Sequence, residues 1–264
     1  MYKKYKTLSL ETASPNVLLV TLNRPESANA LNTEMGEELL DIWSSFYRDQ
    51  EKIRSIILTG EGNRAFCAGA DLKERNGMKK SSWQQQHALF EQMIRAMMDC
   101  PVPIIGAVNG AAFAGGLEIA LACDFIYATR KSRFAFTEVS IGIMPGAAGT
   151  QNLPKTVGIR RAKEIILSAQ PFTAKQALEW GLVNKIVPTG KLILNATHTA
   201  KCIAEHAPLA IRNAKKSIDA AISSDFKTGY DFEIALYNQL VGTHDQIEGI
   251  LSFNEKRKPK FKGQ

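Results

Sequence analysis

No apolar run in this 264-residue chain approaches the roughly 18 residues of a membrane span, so no transmembrane helix is expected. The N-terminal MYKKYKTLSLETA is basic but has neither a long apolar stretch nor a small-residue cleavage site, and it is not expected to act as a secretory signal. Arginine is absent ahead of Arg24 and Glu11 comes early, which argues against an organellar transit peptide. Cysteine is scarce. Cys67, Cys100, Cys123 and Cys202 form no CxxC pair and sit in apolar settings. That pattern argues against a zinc site, or any metal site, and leaves reduced thiols in the cytoplasm as the expectation.

A basic body is lacking as well. The formal charge is +7, from 33 Lys and Arg against 26 Asp and Glu. Met1 to Leu10 holds Lys3, Lys4 and Lys6 without an acid, and Glu255 to Gln264 holds Lys256, Arg257, Lys258, Lys260 and Lys262 against one. The two ends carry the whole excess and Glu11 to Asn254 is neutral, so nucleic-acid binding is not expected of the body. A local cluster such as Lys73 with Arg75, Lys79 and Lys80 is the one basic patch to weigh against this.

What is present is the composition of a globular protein with a sizeable core, 45% hydrophobic and 22% charged. Asn16 to Leu22, Ile53 to Gly60, Ile104 to Val108, Asp124 to Ala128 and Arg133 to Phe136 read as strands. Thr33 to Arg48, with Thr33 as N-cap, and Ser81 to Cys100 read as helices, the latter stopped by Pro101 and Pro103. From Arg160 onward the pattern is almost wholly helical. The fold class expected is therefore α/β followed by a helical extension; the boundary reads near Pro188 to Lys191 or near Ala207–Pro208, and the chain is divided into a core over 1–195 and a helical region over 196–264.

Between Ala111 and Cys123 every residue is glycine or apolar except Glu118. Glu138 repeats the pattern between FAF and VSIGIMP. A buried carboxylate is costly unless it is paired, hydrogen-bonded or protonated, so each acid has either a structural partner or a chemical role. Two such acids beside Gly-rich loops fit acid/base work on a substrate held between them. The aromatic platforms of a sugar cleft are missing, and no histidine lies near either acid to complete a metal site. The loops AFCAGADLKER and FAGGLE are permissive for backbone amides that approach a ligand as an oxyanion hole, and equally for tight turns. Neither reads GxGxxG or GxxxxGKS/T, which leaves dinucleotide and P-loop chemistry without support.

Five ordered blocks, LNRPESANALN, AFCAGADLKER, NGAAFAGGLEIALACD, FTEVSIGIMPGAAGTQ and EGILSFNEKRKPKFKG, resemble the crotonase superfamily of enoyl-CoA hydratases and isomerases. The resemblance implies a ClpP-like spiral of ββα units followed by a C-terminal helical trimerisation region, assembled as a homotrimer or a homohexamer. It implies an acyl-CoA thioester as substrate, no cofactor beyond the coenzyme A carried by that substrate, and no membrane partner. The oxyanion-hole amides fall on Ala70 and Gly115, and the catalytic pair on Glu118 and Glu138. Ala28, Ala68, Asp71, Leu72, Lys73, Tyr237, Phe253 and Lys256 match positions that meet the substrate, Tyr237 and Phe253 from a neighbouring subunit. The rest of the C-terminal charge reads as a solvated tail.

The implied activity is addition of water to a trans-2-enoyl-CoA, in fatty-acid or branched-chain amino-acid degradation. The alternatives are double-bond isomerisation, which can work with one acid/base, and RNA binding on the same scaffold. AFCAGADLKER and PKTVGIRRAKEIIL look closest to the methylglutaconyl-CoA hydratase-like branch. Glu26, Phe113–Ala114, Ala148 and Asn152 depart from the family pattern without removing a catalytic group. Trp83, Phe90, Met144 and the helix over Ser81 to Met98 are expected to set the depth of the acyl pocket.

Overall fold

The computed structural model describes residues 3–48 and 52–264. Strands β1 (Leu8–Ser14) and β2 (Val17–Leu22) form a hairpin that leads into helix α1 (Thr33–Arg48). Three units of two strands and a helical segment follow: β3 (Ser55–Gly60), β4 (Ala65–Cys67), α2 (Leu72–Arg75) and α3 (Lys80–Met98); β5 (Ile104–Val108), β6 (Ala111–Phe113) and α4 (Gly115–Leu121); β7 (Phe125–Thr129), β8 (Arg133–Ala135), a 3-10 turn (Glu138–Ile141) and α5 (Gly149–Val157). In every unit the first strand enters one sheet and the second enters another. The larger sheet has the order β1-β2-β3-β5-β7-β10 and the smaller β4-β6-β8-β9, where β9 is Phe172–Thr173 and β10 is Lys185–Val187. The expected α/β spiral of ββα units is the observed fold.

The larger sheet is parallel from β2 to β10, with Leu18 beside Ile56 and Ile56 beside Ile104. Both of its faces are covered, which is why β3 and β5 are buried along their whole length and read as continuous apolar runs. Ile56, Leu58 and Ile104 pack into the main core with Trp43, Phe66, Phe134 and Phe136. Ile57 and Ile105, on the other face, pack against Ala196 and Ala200 of α8 (Leu192–Ala204). Helix α8 runs through positions 195 and 196, where the sequence reading divides the chain, and lies between the two boundaries that the sequence suggests.

Three details differ from the sequence reading. Strand β1 lies outside the strands expected; it pairs with β2 in antiparallel register, Leu8 opposite Leu22. Asn32 rather than Thr33 caps α1, its Oδ1 accepting from the Met35 amide at 3.0 Å. The region after Arg160 is not wholly helical between α6 (Ile159–Ser168), α7 (Ala174–Glu179) and α8, because β9 and β10 intervene. Strands of two and three residues are too short to show a period of two, and they form because β8 and β7 offer unpaired edges. Helices α9 (Pro208–Ala221), α10 (Phe226–Asn238) and α11 (His244–Asn254) complete the chain. Among the described residues no helix is long and apolar enough to cross a membrane.

The two sheets are tied where each unit turns from one to the other. The Asn109 side chain accepts from the Gly60 amide at 3.3 Å and donates to the Gly60 and Gly62 carbonyls at 2.7 and 2.6 Å. Helix α4 then lies directly on β4. A methyl group on Gly116 would sit 2.0 Å from the Cys67 carbonyl oxygen, inside any van der Waals contact. Gly116→Ala must therefore push α4 off β4, and should lower stability by about 3 kcal/mol. Urea unfolding checks this; an unchanged midpoint would contradict the packing described.

Candidate active site

Chain ends from all three units meet at one cavity of about 780 Å³. After β4 the chain forms a single parallel bridge between Leu31 and Ala70. The Leu31 amide donates to the Gly69 carbonyl at 2.8 Å, and the Asp71 amide donates to the Leu31 carbonyl at 2.9 Å. That pattern uses the groups on either side of Ala70 and turns its own N–H away from Leu31. After β6, Ala114 adopts φ 49° and ψ −125°, a strained conformation for a residue with a Cβ, pinned by its amide donating to the Ala135 carbonyl at 2.8 Å. This kink starts α4, whose first amide, Gly115, has no acceptor within the helix.

The two turns approach so closely that Gly69, at φ +94°, would place a methyl group 2.9 Å from the Ala114 Cβ. A Cβ built on Gly115 would lie 3.8 Å from the Ala70 nitrogen and 4.0 Å from Glu118 Oε2. Two amides and one carboxylate oxygen thus surround a common point.

Glu118 lies in the first turn of α4 and is buried. Its Oε1 accepts from the amides of Ala147 and Gly149 at 2.7 and 2.9 Å, the second being the first residue of α5. Burial raises the carboxyl pKa and those two amides oppose the rise. Glu138 opens the 3-10 turn after β8 and is also buried. Neither of its oxygens has a hydrogen-bond partner of good geometry among the described residues, although the nearby amides of Glu138 itself and Thr137 favour its charge in part. Burial, then the nearby Glu118 charge, pushes the Glu138 carboxyl up to about 7. The pair is therefore electrostatically unlike: Glu118 accepts two amide hydrogen bonds of good geometry and Glu138 accepts none among the described residues.

Trp83, Phe90 and Met144 line the cavity together with Ala70, Gly115, Glu118 and Glu138. Ala68 and Leu72 also border it. Ala28, at φ 53°, stands behind that wall, its carbonyl accepting from the Ala68 amide at 3.1 Å. Asp71 serves the fold, capping α2 through the Lys73 and Glu74 amides and pairing with Arg24 at 2.9 Å. Lys73 is exposed on α2 and does not line the cavity. Arg75 is buried, so it belongs to no exposed patch with Lys73, Lys79 and Lys80. Tyr237, Phe253 and Lys256 are exposed on α10 and at the end of α11, and none of them borders the cavity of this chain. The Ala147 and Gly149 amides that hold Glu118 leave no mark in the sequence, because any residue other than proline supplies an amide. Among the described residues no group of three or more His, Cys, Asp or Glu comes together as a metal cluster.

Residues 12–264 match the family model described as enoyl-CoA hydratase/isomerase. The chain belongs to that family. It is 38% identical to a short-chain-enoyl-CoA hydratase of Clostridium acetobutylicum, with 92% of each chain covered. It is 35% identical to the mitochondrial methylglutaconyl-CoA hydratase of Mus musculus, over 97% of this chain and 82% of that one. The crystal structure of an enoyl-CoA hydratase from Bacillus anthracis superposes with a TM-score of 0.96 at 39% identity, covering 98% of this chain and 100% of the other.

The Glu138 environment has a consequence for stability that does not depend on any substrate. The folded protein holds this proton up to about pH 7, whereas an unburied glutamate releases it near 4.5. Between those values the folded state binds more protons than the unfolded state, so this group lowers stability as pH rises through the window. Glu138→Gln should gain on the wild type in urea midpoint between pH 5 and 8 and show no such loss itself. A constant difference across that range would contradict the buried, unpartnered carboxyl.

Proposed function

We propose that the protein hydrates trans-2-enoyl-CoA thioesters to 3-hydroxyacyl-CoA. The observation that carries this reading is the pair of carboxyl groups with unlike environments beside two unused amides, all on one cavity. In this mechanism the thioester oxygen accepts from the Ala70 and Gly115 N–H groups. Glu118, held as a carboxylate by Ala147 and Gly149, takes a proton from water as its oxygen bonds to C3. The C2=C3 electron pair moves toward the thioester, and the two amides stabilise the enolate oxygen. Glu138 donates its proton to C2 as the carbonyl reforms. Glu118 ends protonated and Glu138 ionised, and one proton exchange with solvent at each resets the pair.

Hydration is favoured over isomerisation because isomerisation moves one proton between two carbons, while hydration needs an acid and a base together. Nucleic-acid binding is disfavoured because the basic patch that would support it loses Arg75, which is buried. In the same reading the substrate's coenzyme A is the only carrier group, and the active form is a homotrimer or homohexamer. Support for assembly lies in the large apolar side chains left exposed on α9 to α11, among them Ile218, Phe226, Tyr237 and Phe253. A neighbouring subunit would also be the route by which Tyr237, Phe253 and Lys256 reach a coenzyme A. The cytoplasm is the proposed location, on the strength of the buried free thiols Cys67, Cys100 and Cys123.

Loss of the conjugated thioester absorbance on a panel of enoyl-CoAs tests the reading. Glu118→Gln and Glu138→Gln should each lower turnover by about 10²–10⁴-fold while unfolding cooperatively as the wild type does. The wild-type kcat/KM should fall above pH 7 as Glu138 loses its proton, and Glu138→Gln should lack that limb. Normal hydration by either variant would sink the assignment.

A further inference from the structure

Apart from the two glutamates, one charged side chain of the cavity wall keeps most of its hydrogen-bonding capacity unused. Arg75, the last residue of α2, is only 9% exposed and borders the cavity. Its guanidinium lies over the Trp83 ring at 4.3 Å and near the Phe90 ring at 5.5 Å, both of them cavity residues of α3. Nε donates to Gln86 Oε1 at 2.7 Å. Gln86 is itself held, its Nε2 donating to Thr33 Oγ1 and Glu74 Oε2, each at 2.8 Å. Two rings and one fixed acceptor therefore set the plane of the guanidinium.

The rest of the fork has nothing to bind. Among the described residues no group accepts from Nη1 or Nη2 of Arg75, and no carboxylate forms an ion pair with it. The neighbouring Glu74 is engaged elsewhere, by Gln86 and by the Thr33 amide at 3.0 Å. Glu91, another acid on the cavity wall, is bridged to Arg95 at 2.7 Å. Arg75 is the one arginine or lysine among the residues that line this cavity. A guanidinium has five N–H donors, of which one is used here. Burial disfavours the guanidinium charge and the nearby Glu74 carboxylate offsets only part of that, so a directly hydrogen-bonded anion would still be favourable there. Holding α2 to α3 uses the Nε bond alone, and the terminal nitrogens, which are not among the buried atoms without a partner, keep their four donors accessible at the cavity wall.

We propose that Arg75 is the specificity-determining residue of the acyl cavity and that the preferred acyl group ends in a carboxylate, bound by the free edge of the guanidinium. The planar fork matches the two oxygens of a carboxylate, and the stacked rings orient it in advance. A plain alkyl chain would desolvate the same fork without giving it an acceptor, so the site discriminates against it by leaving buried donors unpaired. This rests on the hydratase reading above and names its substrate class.

The test compares acyl chains of equal length with and without a terminal carboxylate: trans-2-pentenoyl-CoA against glutaconyl-CoA, and the next homologous pair. The wild type should favour the carboxylated member in kcat/KM, and Arg75→Met should lower that preference by about 10- to 100-fold, mainly through KM. Arg75→Lys, which keeps the charge but not the fork, should fall between. A wild type without the preference, or equal losses on both members in both variants, would overturn the proposal. A binding measurement separates this from failure of the hydratase reading. If no enoyl-CoA is hydrated, calorimetry with glutaryl-CoA and pentanoyl-CoA still reports on Arg75. Tighter glutaryl-CoA binding that Arg75→Met abolishes upholds the proposal, and equal affinities overturn it.

Discussion

Two backbone turns that approach without side chains between them govern this molecule. Gly116 brings α4 onto the Cys67 carbonyl, and Gly69 admits the Ala114 methyl. Only with both in place do the Ala70 and Gly115 amides come to the same point as Glu118 Oε2. The strain at Ala114 belongs to this constraint, since a relaxed residue there would start α4 in another direction. The surrounding packing offsets it: β4, β6 and β8 are paired side by side, and the Ala114 amide is fixed to the carbonyl of Ala135 at the end of β8. Three short strands thus deliver three chain ends to one cavity, each carrying one part of the site.

The difference between the two glutamates follows from what each chain end provides. Glu118 meets the N-terminus of α5, where the Ala147 and Gly149 amides favour an anion. Gly149 has to be glycine, because a methyl group there would lie 2.8 Å from Glu118 Oε1. Ala148, between them, occupies a left-handed conformation at φ 70°, which disfavours any residue with a Cβ. The loop is therefore held in shape by its contacts. Glu138 has no such donors, and its burial is tolerated because a protonated carboxyl costs far less to bury than a charged one.

Both acids are legible in the sequence because each interrupts an apolar stretch, and a lone acid in such a stretch demands a reason. The parallel strands are legible for the same kind of reason, as runs such as SIILTG with apolar residues on both faces. The Ala70 and Gly115 amides proposed as an oxyanion hole are not legible from residue types, since glycine and alanine allow close approach without requiring it; only the family resemblance singles them out. Arg75 is hidden because it lies in a basic run, and charge in such a run ordinarily faces solvent. Its burial depends on Trp83, Gln86 and Phe90, which are eight to fifteen positions away along α3 and have no local signature as its partners. Thr33 passes for the cap of α1 for a simpler reason: it has the same capability as Asn32 beside it.

The charge that collects at the chain ends illustrates how little a net count says about fields. At the N-terminus Lys3 pairs with Asp41 and Lys6 with Glu34, both at 2.7 Å on acids of α1. At the other end, where the sequence suggests a solvated tail, Arg257 bridges Glu248 and Glu255, each at 2.6 Å. The last residues fold back as well: the Lys262 and Gly263 amides donate to buried Asp245, and the Phe261 carbonyl accepts from Arg54 at 2.8 Å. Lys256 is different. It turns out of α11 in a left-handed conformation, φ 55°, beside exposed Phe253. Docking the tail in this way holds α11 and fixes where that lysine and that ring project. A flexible tail would attract a polyanion by charge alone, whereas a docked one presents a cation and an aromatic face together at a set place on the surface.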